Sequence, residues 1–272
     1  MLSVTEITVS STTELTETVL SLVKEAEDDA PLWFRGQYSA DWQLKSSLAR
    51  SVTTSEQMFE KELRLLTRFR QRSLPFWPQG YPQDDWEHLF AMQHYGAPTR
   101  LLDWSENLFV GLYFSCTRGA YSKHSEVDDA ANPVVWVLDP VGWNRGLGHL
   151  KDNASSVSIL TTADDDELRP YSVSGRADFP RRYNAPVAIY GTHNSSRIVA
   201  QRGGFTIAGK SLDPMDSFAA EVGEKKLWKI KLLYSRDQMR RDLAVLGFAE
   251  SMVFPDLVGL SREISESEGL HG

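Results

Sequence analysis

The residue types that could do chemistry crowd into one short run, Gln93 to Ser105, which holds Gln93, His94, Tyr95, Thr99, Arg100, Asp103 and Ser105. Gly96 and Pro98 mark a turn within it. Leu108 to Cys116 follows, apolar on every face, and its pattern predicts a helix buried all round. Asp103 and Glu106 stand three apart before it, in the spacing of a capping box with Asp103 as N-cap. Many donors and acceptors set against a core helix either satisfy one another or hold a ligand. An Arg100–Asp103 ion pair that pins the turn is the plain alternative to a binding site. His94 fits a general acid–base role or a nucleotide contact, and equally a plain hydrogen bond. Tyr95 and Trp104 read as stacking platforms or as core aromatics.

Two further positions stand apart from that run. The apolar run Leu32-Trp33-Phe34 stops at Arg35, which predicts a strand with the arginine near its end. Gly36 then marks a close approach by backbone or ligand. Late in the chain, Glu250 is the first acid after the helix stop at Gly247. The acidic cluster Asp164 to Glu167 reads as a solvated loop, since consecutive acids point in different directions. No metal-ligand spacing such as HxxxH or CxxC occurs, and no metal is expected.

The elements that must position these groups follow from period and caps. Ser11 and Glu14 open an amphipathic helix with Leu15, Val19 and Leu22 aligned. A second helix is predicted from Glu56 to about Gln71, with Phe59, Leu63, Leu66 and Phe69 on one stripe. Val134–Leu138 has the composition of a buried strand. Residues 139–185 carry no sustained period. The last third predicts strands at 186–190, 197–200, 204–207 and 227–232. A helix then opens at the Ser235/Gln238 capping box, 250–254 follows as a strand or extended segment, and Pro255 starts a last helix with Leu257, Leu260 and Ile264 inward.

The totals exclude several classes. The 272 residues carry a net charge of −8 and 41% apolar residues, ordinary for a globular protein and unfavourable for a broad duplex-DNA face. One cysteine, Cys116, cannot form an intramolecular disulfide. No apolar run approaches the roughly 20 residues that span a bilayer, and the first residues lack the pattern of a secretory signal. The expectation is a cytoplasmic chain forming one domain over 1–272. Its parts are an N-terminal helix within 1–30, an irregular insertion at 139–185 and a tail at 262–272.

The words Trp33-Phe34-Arg35-Gly36-Gln37 and Gln93 to Ser105 together resemble the FRG domain, named for its Phe-Arg-Gly triplet. Gln201 to Thr206 and Phe254 to Leu257 resemble later parts of that pattern, so the likeness runs from about Leu32 to Leu260. A second resemblance is to ADP-ribosyltransferases of the arginine-serine-glutamate type, through Arg35, Phe205-Thr206 and Glu250 in that order. The usual Ser-Thr-Ser is Phe-Thr-Ile here, and Phe248 stands where a Gln or Glu precedes the glutamate.

That resemblance implies an α+β fold, a helical N-terminal half on a mostly antiparallel, split β-sheet. It implies NAD as substrate, for ADP-ribosyl transfer or NAD glycohydrolysis. Glu250, Arg35 and His94 would be catalytic. Arg35, Gly36, Gln37, Tyr95, Thr99, Arg100, Asp103, Phe205 and Thr206 would bind the nucleotide. An arginine fork suits the pyrophosphate, and a carboxylate stabilises the oxocarbenium-like ribose. A protein or nucleic-acid acceptor, a toxin or phage-defence role and an antitoxin or regulatory partner belong to the same expectation. The alternatives are a nuclease or hydrolase using His94 and a carboxylate, or a non-catalytic nucleotide-binding module.

Overall fold

The computed structural model describes residues 4–26, 30–77, 80–117, 132–153, 158–173, 183–192 and 199–270. Most of the polar loop read at 117–133, and the start of the strand read at 197–200, lie outside them. A seven-stranded sheet runs through the fold in the order β1-β7-β4-β2-β3-β6-β5. The strands are β1 (Thr5–Val9), β2 (Trp33–Gln37), β3 (Leu101–Ser105), β4 (Val134–Leu138), β5 (Val187–Ile189), β6 (Gly203–Ile207) and β7 (Leu227–Leu232). Every pairing is antiparallel except β1 with β7. The fold is α+β, as expected. The expected division into a helical half and a strand half does not hold, because β1, β2 and β3 all precede residue 106.

Strand alternation sends neighbouring side chains to opposite cores. Trp33, Trp136 and Leu138 join a core with α2 (Ser55–Ser73) and α3 (Asp85–His94) through Leu66, Leu89 and Phe90. Phe34, Val135 and Val137 join a second core with α1 (Thr12–Val23) and α4 (Leu108–Cys116) through Leu15, Val19 and Leu112. Both sheet faces are therefore covered, which explains why Val134–Leu138 is apolar without alternation.

Caps and helical stripes place α1, α2 and the helix Arg236–Val245 where the sequence predicts them. Ser11, Thr54 and Ser235 each accept the amide three residues on, the N-cap role of short polar side chains. The capping box at Asp103 does not form. Asp103 lies within β3, paired with Phe205 of β6, and Asn107 caps α4 by accepting from Phe109 N at 2.9 Å. Sheet pairing outweighs a local capping signal worth about 1 kcal/mol.

Three more expectations are corrected. Residues 250–254 form the helical turn Glu250–Val253 rather than a strand. Val199 and Ala200, read as strand, are helical. Leu257, Leu260 and Ile264 are 83%, 43% and 55% exposed, so the last helix, Leu257–Ser267, does not turn them inward. The periodless stretch 139–185 contains the buried helix Pro140–Gly146, capped by Asp139. Among the described residues no helix is long and apolar enough to cross a membrane.

Candidate functional site

Arg35 sits between two residues that fix its direction. Gly36 faces α4, and a Cβ there would lie 1.9 Å from the Gly111 carbonyl oxygen and 2.6 Å from Ser115 N. The close approach expected at Gly36 is thus made by backbone. Arg35 therefore points to the other face, with Trp33 and Gln37. Strands β2 and β3 share one register pair, Phe34 with Ser105. Where that ladder stops, Arg35 Nη1 donates to the Asp103 carbonyl at 2.7 Å and lies 3.9 Å from Asp103 Oδ2. Its side chain is 22% exposed and that of Asp103 is 52% exposed. Among the described residues Arg35 Nε is buried without a partner.

Asp103 is oriented by α3. Gln93 Nε2 donates to Asp103 Oδ2 at 2.6 Å, and Thr99 Oγ1 donates to Gln93 Oε1. Thr99 is fully buried, so it aims Gln93 rather than meeting a ligand. Asp103 Oδ1 has no partner among the described residues and is left for whatever approaches. His94 ends α3 half-buried, and its ring meets Tyr95 edge-on with centroids 4.7 Å apart. Tyr95 is 63% exposed. Burial pulls the Arg35 guanidinium pKa down, Asp103 pushes it up, and the neighbouring Arg50 pulls it down again.

The remaining candidates are structural by their contacts. Arg100 is fully buried and pairs with Glu62 at 2.7 Å, not with Asp103. It also donates to the carbonyls of Ala208 and Tyr171 at 2.7 and 2.6 Å. Gln37 is buried, accepting from Trp136 Nε1 and donating to the Gln43 carbonyl. Phe205 stacks on Phe90, and buried Thr206 accepts from Trp104 Nε1 at 3.0 Å. Arg100 and Thr206 reach only the walls of a small cleft between Leu44–Ala49 and Ala208–Met215.

Glu250 does not join Arg35. Its carboxylate lies near the Tyr113 phenol of α4 and accepts from Arg262 Nη1 at 3.3 Å. Tyr113 lies two residues past Gly111, about 200° around the helix, so it faces away from β2. Helix α4 and the sheet therefore stand between Glu250 and Arg35. Burial, then the Glu250 charge, raises the Tyr113 phenol pKa. The order arginine, Phe-Thr, glutamate is present in the chain without being gathered in space.

Comparison with protein families matches residues 30–124 to the FRG domain. Residues 30–124 thus carry the sequence pattern of the FRG domain. No curated protein and no solved structure gave a match. The FRG domain spans β2, α2, α3, β3 and α4, so Arg35, Gln93, His94, Tyr95 and Asp103 all belong to it. Thr206 and Glu250 lie outside, as do the later words 201–206 and 254–257. Among the described residues no group of three His, Cys, Asp or Glu could hold a metal ion. Gln93 stands in the polar run, but its role as the clamp on Asp103 has no local signal, and neither has that of Glu62 as the counter-ion of Arg100. Glu62 reads as one more acid in a charged helix.

Proposed function

We propose that the FRG domain binds a nucleotide at the junction of β2 and β3 and acts on NAD. The observation that carries this reading is the partly exposed Arg35 facing an exposed, clamped carboxylate. Among the described residues only one nitrogen of that guanidinium has a protein partner. A guanidinium with free donors suits a phosphate. Asp103 Oδ1 suits a ribose hydroxyl or the cation that develops as nicotinamide leaves. Exposed Tyr95, two residues past the clamp, supplies a surface on which a base can stack. In this reading Asp103 takes the part that the ADP-ribosyltransferase likeness gives to Glu250. Transfer of ADP-ribose to a protein or nucleic acid, and control by an antitoxin-like partner, belong to the same proposal.

Thermal unfolding with NAD, alongside nicotinamide release, tests it. NAD at a hundredfold excess over its dissociation constant should stabilise the wild type by about 2.7 kcal/mol. It should stabilise Glu250→Gln equally and Arg35→Ala hardly at all. Equal shifts in wild type and Arg35→Ala would remove Arg35 from the site. Release of nicotinamide should fall about a hundredfold in Asp103→Asn, the scale of losing one preorganised charged group. It should stay within about twofold in Glu250→Gln. A collapse in Glu250→Gln with full activity in Asp103→Asn would return the role to the late glutamate. Binding without release would leave the domain a nucleotide-binding module.

A further inference from the structure

Helix α2 carries a surface that the junction of β2 and β3 does not use. Leu63 to Gln83 hold four arginines and no acid, in a chain whose net charge is −8. Arg70 turns to Asp85 of α3, and Asp84 is spent on capping that helix. Arg64, Arg68 and Arg72 are exposed, and none of them pairs with an acid among the described residues. Each stands four residues after the last, so the three form one stripe that rises about 6 Å per step. Glu60, one turn before Arg64, bounds the stripe at its N-terminal end. Met58, Glu62 and Leu66 hold the buried side of the same helix. Like charges held in a row cost free energy that a chain of anions removes.

The stripe runs into aromatic rings. The 3-10 turn Leu74–Phe76 continues α2, and it leaves Phe76 80% exposed. Trp77 donates its Nε1 to Ser73 Oγ at 2.9 Å and meets Phe69 and Tyr95 edge-on, with centroids 6.4 Å from each. These contacts fix the end of α2 against Tyr95, two residues past the Gln93 clamp. Cations in a row followed by an exposed ring suit a polymer that repeats phosphate and base. Unpaired bases offer a face to Phe76, whereas paired ones are stacked away from it. An anionic bilayer fits less well, because a membrane-bound helix lays its apolar face on the lipid. The apolar stripe of α2 is turned into the core at Leu66 and Phe69.

We propose that α2 and Phe76 form a binding track for single-stranded nucleic acid, with phosphates on Arg64, Arg68 and Arg72 and a base on Phe76. Such binding does not depend on the NAD reading of Arg35. A strand so held would end beside Tyr95, where a nucleic-acid acceptor would have to arrive.

Fluorescence anisotropy with labelled oligothymidine and oligouridine, and with a duplex of equal length, tests the track. The wild type should bind the single strands about tenfold or more tightly than the duplex, the scale of one stacked base. The logarithm of affinity should fall against that of salt with a slope of about −2, as for three phosphates of a single strand. Arg64→Ala, Arg68→Ala and Arg72→Ala combined should weaken binding about a hundredfold at low salt and flatten that slope. Phe76→Ala should cost about tenfold and leave the slope unchanged. All four side chains are exposed, so the melting temperatures of these variants, and any stabilisation by NAD, should match the wild type. A duplex bound as tightly as the single strands, or Phe76→Ala without effect, would overturn the single-strand assignment. Undiminished binding by the triple variant would remove the arginine stripe. Phosphatidylserine vesicles that bind the wild type where the oligonucleotides do not would assign the surface to a membrane instead.

Discussion

Arg100→Met should lower the free energy of unfolding by about 3–5 kcal/mol, the cost of stranding one member of a buried ion pair. Glu62 and Arg100 are both fully buried, 2.7 Å apart. Removing the guanidinium leaves a carboxylate without a counter-ion beneath α2, and Glu62 Oε1 already lacks a partner among the described residues. The carbonyls of Ala208 and Tyr171 lose their donors as well, each a buried group whose orphaning costs about 1–3 kcal/mol. Glu62→Leu combined with Arg100→Met should therefore cost less than the sum of the two single changes, by about 1.5 kcal/mol or more. Urea unfolding of the four proteins measures this. Additive effects, or an Arg100→Met protein as stable as the wild type, would show that the pair is not the lock it resembles.

Gly36→Ala should be comparably damaging, at about 3 kcal/mol or more, beyond the ordinary cost of overpacking. The added Cβ would overlap the Gly111 carbonyl oxygen at 1.9 Å and Ser115 N at 2.6 Å, and neither backbone group can turn aside as a side chain would. Helix α4 would have to lift off β2, opening the second core at Phe34, Val135 and Leu112. Gly111→Ala is the control from the other side of the same contact. Its Cβ would meet Phe34 Cβ at 3.1 Å and Val135 Cγ1 at 3.6 Å, a crowding of a few tenths of an ångström. The better helix propensity of alanine offsets part of this, so the change should stay within about 1 kcal/mol of the wild type. Reversal of the two effects in thermal unfolding would show that α4 does not rest on Gly36.

This pairing also explains the Phe-Arg-Gly triplet physically. Phe34 and Gly36 share the face toward α4, where Phe34 fills the second core and Gly36 lets the helix touch the strand, while Arg35 crosses to the opposite face. Three consecutive residues thus serve two faces, because strand side chains alternate, and glycine alone leaves room for the helix backbone. The word reads as a site signature, yet two of its three residues are there for packing.

By itself the sequence determined whatever repeats or terminates locally. Leu15, Val19 and Leu22 recur at the helical period behind a serine cap. Ser235 and Gly247 bound the helix Arg236–Val245, with Gly247 at φ 73°. The unbroken apolar Val134–Leu138 announces a strand covered on both faces. These signals need only a few neighbouring residues, so they survive without knowledge of the fold.

Partner choice is decided by the tertiary structure. Arg100 has Asp103 three residues away and pairs instead with Glu62, 38 positions earlier, because β3 turns alternate side chains to opposite faces and separates the two. Arg35 meets Asp103 across 68 positions, where the β2–β3 ladder ends. Glu250 follows Phe205-Thr206 in chain order, but the chain that leaves the glycine stop carries it to the outer side of α4. Charges attract at short range whatever their separation in sequence, and which charges come within that range is set by how the sheet orders its strands.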